Sequence, residues 1–192
     1  MRPQTSDDYS GKCIATTWPE TLTLATGEQI AIRPLDPRDR SRLRGLFARM
    51  SRQSRQRRFF SPKQELTERE LTYFTDIDHV KHEALAAVDP SDGSFVGVAR
   101  YVKFGERPRI ADVSVAVADE QHSLGVGTAL VDRLIERGRE NDLEYLEATT
   151  KWENAPARAL ARRAGFRARS SRGGEIVLEL ALGPSRSASN AR

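Results

Sequence analysis

The chain has 192 residues and a single cysteine, Cys13, so it can form no internal disulfide and has no thiol companions for a metal site. No apolar run approaches the roughly 20 residues of a membrane-spanning helix. The opening, MRPQTSDDYSGK, lacks the apolar stretch of a signal peptide. These absences lead us to expect a cytoplasmic protein with no membrane partner and no metal. Acids are scarce in one place: between Arg38 and Arg58 lie nine arginines and only Asp39 to oppose them. Such a stripe is either a surface for an acidic partner or the solvated face of a helix. Leu43, Leu46, Phe47 and Met50 keep helical spacing, which favours the helix face. No aromatic ladder interleaves the arginines, which counts against nucleic acid.

The remaining pattern is mixed α/β. Residues 1–20 read as a flexible extension and 183–192 as a disordered tail, leaving 21–182 as one domain. A strand is expected over Gln29–Arg33, then a helix capped by Asp36 with Pro37 at its start. Further helices follow over Gln53–Phe60 and, from the capping box Thr67–Glu70, over Glu68–Thr75. Ala84–Val88 and Phe95–Phe104 read as a hairpin. Ala111–Val117 alternates, with Val113, Val115 and Val117 on one face and Asp112, Ser114 and Ala116 on the other. After a glycine turn, a helix opening near Thr128 buries Leu130, Val131, Leu134 and Ile135. Tyr145–Thr149 is a strand, Ala155–Ala164 a helix closed by Gly165, and Phe166–Ser170 and Glu175–Leu182 are the last strands.

The turn HSLGVGT, from His122 to Thr128, joins a strand to a helix through Gly125 and Gly127. Glycine there permits close backbone approach or positive φ, and the helix start presents free N–H groups to an anion. It lacks the lysine of a Walker loop and the third glycine of a dinucleotide fingerprint. Downstream, WENAPARALARRAGF places Asn154 before a helix that ends in Gly165-Phe166; as it stands, Asn154 reads as an N-cap.

Taken together these elements resemble the GNAT superfamily of N-acetyltransferases, over about residues 28–182. The stretches IAIRPLDPRDRSRLRGLFARMS, SRQRRFFSP and ALARRAGF are closest to the GNAT domains of bacterial protein-lysine acetyltransferases. The resemblance implies an α+β domain with a mixed, mostly antiparallel sheet splayed near its fourth strand and helices on both faces. It implies acetyl-CoA as co-substrate, with pantetheine along Val115, Ala116 and Val117. The diphosphate would lie on His122, Ser123, Leu124, Gly125, Val126, Gly127 and Thr128, and Asn154 would bond the pantetheine arm. Two positions depart from the family: His122 stands where glutamine or arginine is usual, and Leu124 where arginine is common. His122 is either a phosphate donor when protonated or a surface histidine without a special role.

An attacking lysine is protonated near neutral pH and must lose that proton. The subgroup uses a glutamate at the start of the fourth strand; Asp112 stands there, one methylene shorter, so a bridging water is expected. The alternative for Asp112 is an acid serving only solubility. Ala161 occupies the position where many relatives carry a tyrosine acid, and a thiolate leaves without much help. A strand N–H, such as that of Val115, would meet the oxyanion. The resemblance favours a protein lysine as acceptor, with acyl-CoA synthetases as familiar targets. A small amine acceptor and a non-catalytic acyl-CoA-binding module are the alternatives, and monomer and dimer both stay open.

Overall fold

The computed structural model describes residues 18–183; the expectations for 1–17 and 184–192 lie outside them. Eight strands form one sheet: β1 (Glu20–Thr23), β2 (Gln29–Pro34), β3 (His82–Val88), β4 (Phe95–Phe104), β5 (Arg107–Val117), β6 (Tyr145–Lys151), β7 (Arg167–Arg172) and β8 (Glu175–Ala181). Their order is β1-β2-β3-β4-β5-β6-β8-β7, antiparallel throughout except for the parallel β5–β6 pair. The helices are α1 (Arg40–Ala48), α2 (Arg52–Phe59), α3 (Glu68–Thr75), α4 (Val126–Glu140) and α5 (Ala155–Arg163).

Strand alternation divides the core in two. On one face Leu85, Ala99, Tyr101, Ala111 and Val113 pack against Val126, Leu130, Val131, Leu134 and Ile135 of α4. Leu160 and Ala161 of α5 join the same cluster. On the other, Ala84, Ala86, Val98 and Ala118 lie under Leu43, Leu46 and Phe47 of α1 and Leu71 of α3. The sheet is therefore covered by helices on both faces, as the resemblance implied.

Several boundaries differ from the sequence expectation. The segment after Asp36 begins as a short 3₁₀ turn, Pro37–Asp39, because Asp36 and Asp39 cap each other reciprocally before α1 starts. The strand expected from Ala111 begins at Arg107, since β4 returns directly into β5 as a hairpin. β1 was not anticipated: ETLT has little apolar alternation, yet it pairs with β2 from Glu20 to Thr23 and is tied to α4 by the Glu20–Arg133 ion pair. This places residue 20, expected to close the flexible extension, inside the sheet.

The arginine stripe is largely spent within the fold. Arg38 pairs with Asp36, Arg42 with Asp39, Arg44 with Glu68 and Arg49 with Glu120. Arg55 donates to the carbonyls of Phe47, Ala48 and Gln64, closing the end of α1 onto the next segment. Two of the stripe reach the central sheet: Arg49 donates to the Phe95 carbonyl of β4 and Arg58 to Ser114 of β5.

Candidate active site

The sheet opens where β5 and β6 part. Their ladder has three rungs, Ile110–Tyr145, Ala111–Leu146 and Asp112–Glu147, after which β5 stays with β4 and β6 with β8. Ala118 donates its N–H to Val96 on the β4 side, and the Arg109 carbonyl accepts from Glu144 on the β6 side. Alternation then turns the N–H and C=O groups of Val115 and Val117 into the gap. Ala116, expected beside them, presents its backbone to Val98 of β4 and its side chain to the α1–α3 face.

The loop at the end of β5 leads into α4, which starts at Val126 rather than Thr128, so Gly127 sits within its first turn. Gly125 is the N-cap at φ 103°, where L side chains are strained, and no side chain caps the helix. The first intrahelical bond runs from Ala129 N–H to the Gly125 carbonyl. The N–H groups of Val126, Gly127 and Thr128 thus have no helical acceptor, and the dipole of a 15-residue helix adds to them. Ser123 also takes positive φ, 67°, so the turn is shaped by two left-handed residues. A Cβ on Gly127 would sit 3.4 Å from Leu160, which brings α5 against the start of α4.

The two departures have structural uses. Leu124 packs against the α4-side core cluster, anchoring the loop by its side chain. His122 places Nε2 3.1 Å from the Val117 carbonyl, tying the loop back to the last residue of β5. Nε2 donates in that bond, so this nitrogen is occupied within the protein. Asn154 is buried at the start of α5, where its Oδ1 accepts from Ala157 N–H and its Nδ2 donates to Thr150 Oγ1 at 3.1 Å. One Nδ2 hydrogen remains for another acceptor.

Asp112 lies on the last rung before the gap, with its side chain open to solvent at the mouth. The protein around it is nonetheless dense enough that burial raises its carboxyl above the ordinary carboxylate range. The Arg58 cation pulls it back down and Glu147 adds to the rise. Glu147 itself is held by Arg107, at 3.2 Å, and by Arg169. The arrangement leaves Asp112 able to accept a proton at the edge of the opening, one rung from strand N–H groups without a neighbouring strand.

Sequence reasoning missed the basic side chains near Asp112. Arg58 donates from Nη2 to Ser114 Oγ at 2.7 Å, and Arg100 of β4 pairs in register with Ser114. Arg100 is buried, with its guanidinium 4.2 Å above the Phe74 ring. An arginine in the middle of the apolar run FVGVARYV was the one available signal: charge in a central strand is costly unless it has a use.

A parted sheet beside an uncapped helix is the frame of an acyl-group transferase, and comparison with known proteins gives its family. The acetyltransferase (GNAT) family matches residues 49–166, and the chain belongs to it, as an N-acetyltransferase. It is 30% identical over 151 residues to Acetyltransferase PA5475 of Pseudomonas aeruginosa, covering 78% of this chain and 80% of that protein. It is 26% identical over 147 residues to Acetyltransferase Pat of Mycolicibacterium smegmatis, covering 77% of this chain but only 44% of Pat. The structure of the GNAT domain of S. lividans PAT superposes with a TM-score of 0.82 at 25% identity, covering 87% of this chain and 98% of that domain.

Proposed function

We propose that the chain transfers an acetyl group from acetyl-CoA to a primary amine, a protein lysine, with Asp112 as general base. The observation that carries this reading is the position of Asp112 on the last β5–β6 rung, at the mouth of the gap. The likeness to the Pat proteins supports a protein acceptor, and the sequence resemblance makes an acyl-CoA synthetase the expected one.

The residues suit the co-substrate. The unpaired N–H groups at the start of α4 match a diphosphate, and the open edge of β5 matches the amides of a pantetheine arm. Val115 and Val117 would pair with that arm, His122 to Thr128 would surround the diphosphate, and the second Nδ2 hydrogen of Asn154 would reach the arm. Acetyl-CoA supplies an acyl group activated as a thioester.

Asp112 takes the ammonium proton of the acceptor through a water, because its short side chain stops at the mouth of the gap. The neutral amine forms the new C–N bond, the C–S bond breaks, and the departing thiolate takes up the second proton that the nitrogen sheds, with no tyrosine acid because Ala161 packs against the core at that position. The N–H of Val115 receives the developing negative charge on the carbonyl oxygen. The test is incubation with labelled acetyl-CoA and a cell lysate, followed by identification of labelled lysines. Label on lysines that Asp112→Ala does not deposit supports the reading; label confined to small amines overturns it.

A further inference from the structure

A cavity of ≈ 30 Å³ lies between β4–β5 and the α1–α3 layer. Its wall is mostly apolar, with Leu46, Phe59, Phe74 and Val98 among the lining side chains, yet Arg58 and Arg100 both face it. Ser114 lines it too, two residues along β5 from Asp112 and on the same face, roughly 7 Å away by strand rise.

Neither arginine has a carboxylate within ion-pair distance among the described residues. Arg58 has one side-chain hydrogen bond, to Ser114 Oγ, and a Phe59 ring 5.0 Å from its guanidinium carbon. Arg100 is 5% exposed, and its one side-chain hydrogen-bond partner is His82 Nε2 at 3.3 Å. Burial, and secondly Arg58, push the Arg100 guanidinium down to about 9, which still leaves it charged at neutral pH. Burial holds His82 at about 4, so its ring is neutral and accepts from Arg100. Two cations share an apolar cavity whose strand wall continues to the acyl-transfer point. That is an unfavourable arrangement until an anion enters it.

We propose that Arg58 and Arg100 form a carboxylate-binding subsite beside the point of acyl transfer, filled by a carboxylate that one of the two substrates carries. The proposal rests on the placement of the acyl group along β5 given above. The small cavity holds a few non-hydrogen atoms, which suits the terminal carboxylate of a short dicarboxylic acyl group such as succinyl. A carboxylate on the acceptor amine is the other source of the same chemistry. Paired guanidinium forks select a planar carboxylate over a neutral methyl group.

The experiment measures binding of acetyl-CoA and succinyl-CoA by calorimetry to the full chain and to Arg100→Met and Arg58→Met. It also measures thiol release from acetyl-CoA with lysine and with lysine amide. With the carboxylate on the acyl group, the full chain binds succinyl-CoA roughly ten- to hundredfold more tightly than acetyl-CoA. That ratio falls to about one in both variants. With the carboxylate on the acceptor, lysine outruns lysine amide by a similar factor, and the variants erase that preference instead. Equal affinity for the two thioesters together with equal rates for the two amines overturns the proposal, as does a preference that survives both substitutions. Failure of the full chain to bind acetyl-CoA at all overturns the co-substrate reading beneath it, which separates the two failures. Melting of the variants gives an independent readout: removing an unpaired buried cation raises Tm, whereas a purely structural arginine would lower it.

Discussion

Asp112 and Glu147 oppose each other on the last rung that joins β5 to β6, but only Glu147 is gripped by arginines. Two carboxylates in one register thus have different environments. Burial increases the proton affinity of Asp112, the Arg58 cation opposes that rise, and the pinned Glu147 adds to it.

Replacing Asp112 with Ala should leave acetyl-CoA binding intact and reduce kcat by about a hundredfold or more at neutral pH, the usual contribution of a general base. The deprotonated carboxylate is the active form. The acidic limb of kcat/KM should therefore lie above the ordinary carboxylate range, with activity rising as pH increases through it. Glu147→Gln removes a negative neighbour and should move that limb to lower pH. A limb that stays in place in Glu147→Gln would disconnect the two residues.

Gly125→Val should keep the fold but lose the cofactor. The N-cap at φ 103° places the first N–H groups of α4, and a β-branched residue cannot hold it without strain. Addition of acetyl-CoA should raise the Tm of the unmodified chain and leave that of Gly125→Val unchanged.

Asn154 separates capping from cofactor contact. Asn154→Ala loses the cap and the Thr150 bond and should cost about 1–2 kcal/mol in chemical denaturation. Asn154→Asp retains an acceptor for Ala157 N–H and should recover much of that stability, yet it has no donor left for pantetheine. Its KM for acetyl-CoA should rise; an unchanged KM would limit Asn154 to its cap.

His82 should leave a signature in acid. In the unfolded chain a histidine protonates near 6.5, whereas burial keeps His82 neutral in the fold down to about 4. Between these values the unfolded state binds the extra proton. Stability is therefore full above 6.5 and falls as pH drops through the window, by roughly 3 kcal/mol at its lower end. Asp112, with its raised carboxyl, acts in the opposite sense but is common to both proteins in the comparison. Urea midpoints of His82→Gln against pH should be flatter between 6.5 and 4 than those of the unmodified chain.

Most of the scaffold was legible because its signals are local. The Thr67–Glu70 capping box, the Leu43–Met50 stripe and the alternation of Val113–Val117 each fix an element from neighbours in sequence. The site was legible only where it follows the chain, as in the loop from His122 to Thr128. Its cross-chain part was not: Arg58 sits in a helix of polar, arginine-rich sequence, and only tertiary packing brings it to Ser114. β1 escaped for the same reason, since its pairing with β2 and the Glu20–Arg133 contact are made by residues far apart.

The three-rung seam between β5 and β6 makes the substrate a building material. A pantetheine arm laid along Val115 and Val117 would supply rungs that β6 does not, so occupancy would register as protection of those two backbone hydrogens from exchange. It would also stiffen a joint that links the α4-bearing half of the sheet to β6, β8 and β7. By mass action, a thioester at a hundred times its Kd would add about 2.7 kcal/mol to the stability of the whole. The durability of this protein would then track the supply of the compound it consumes.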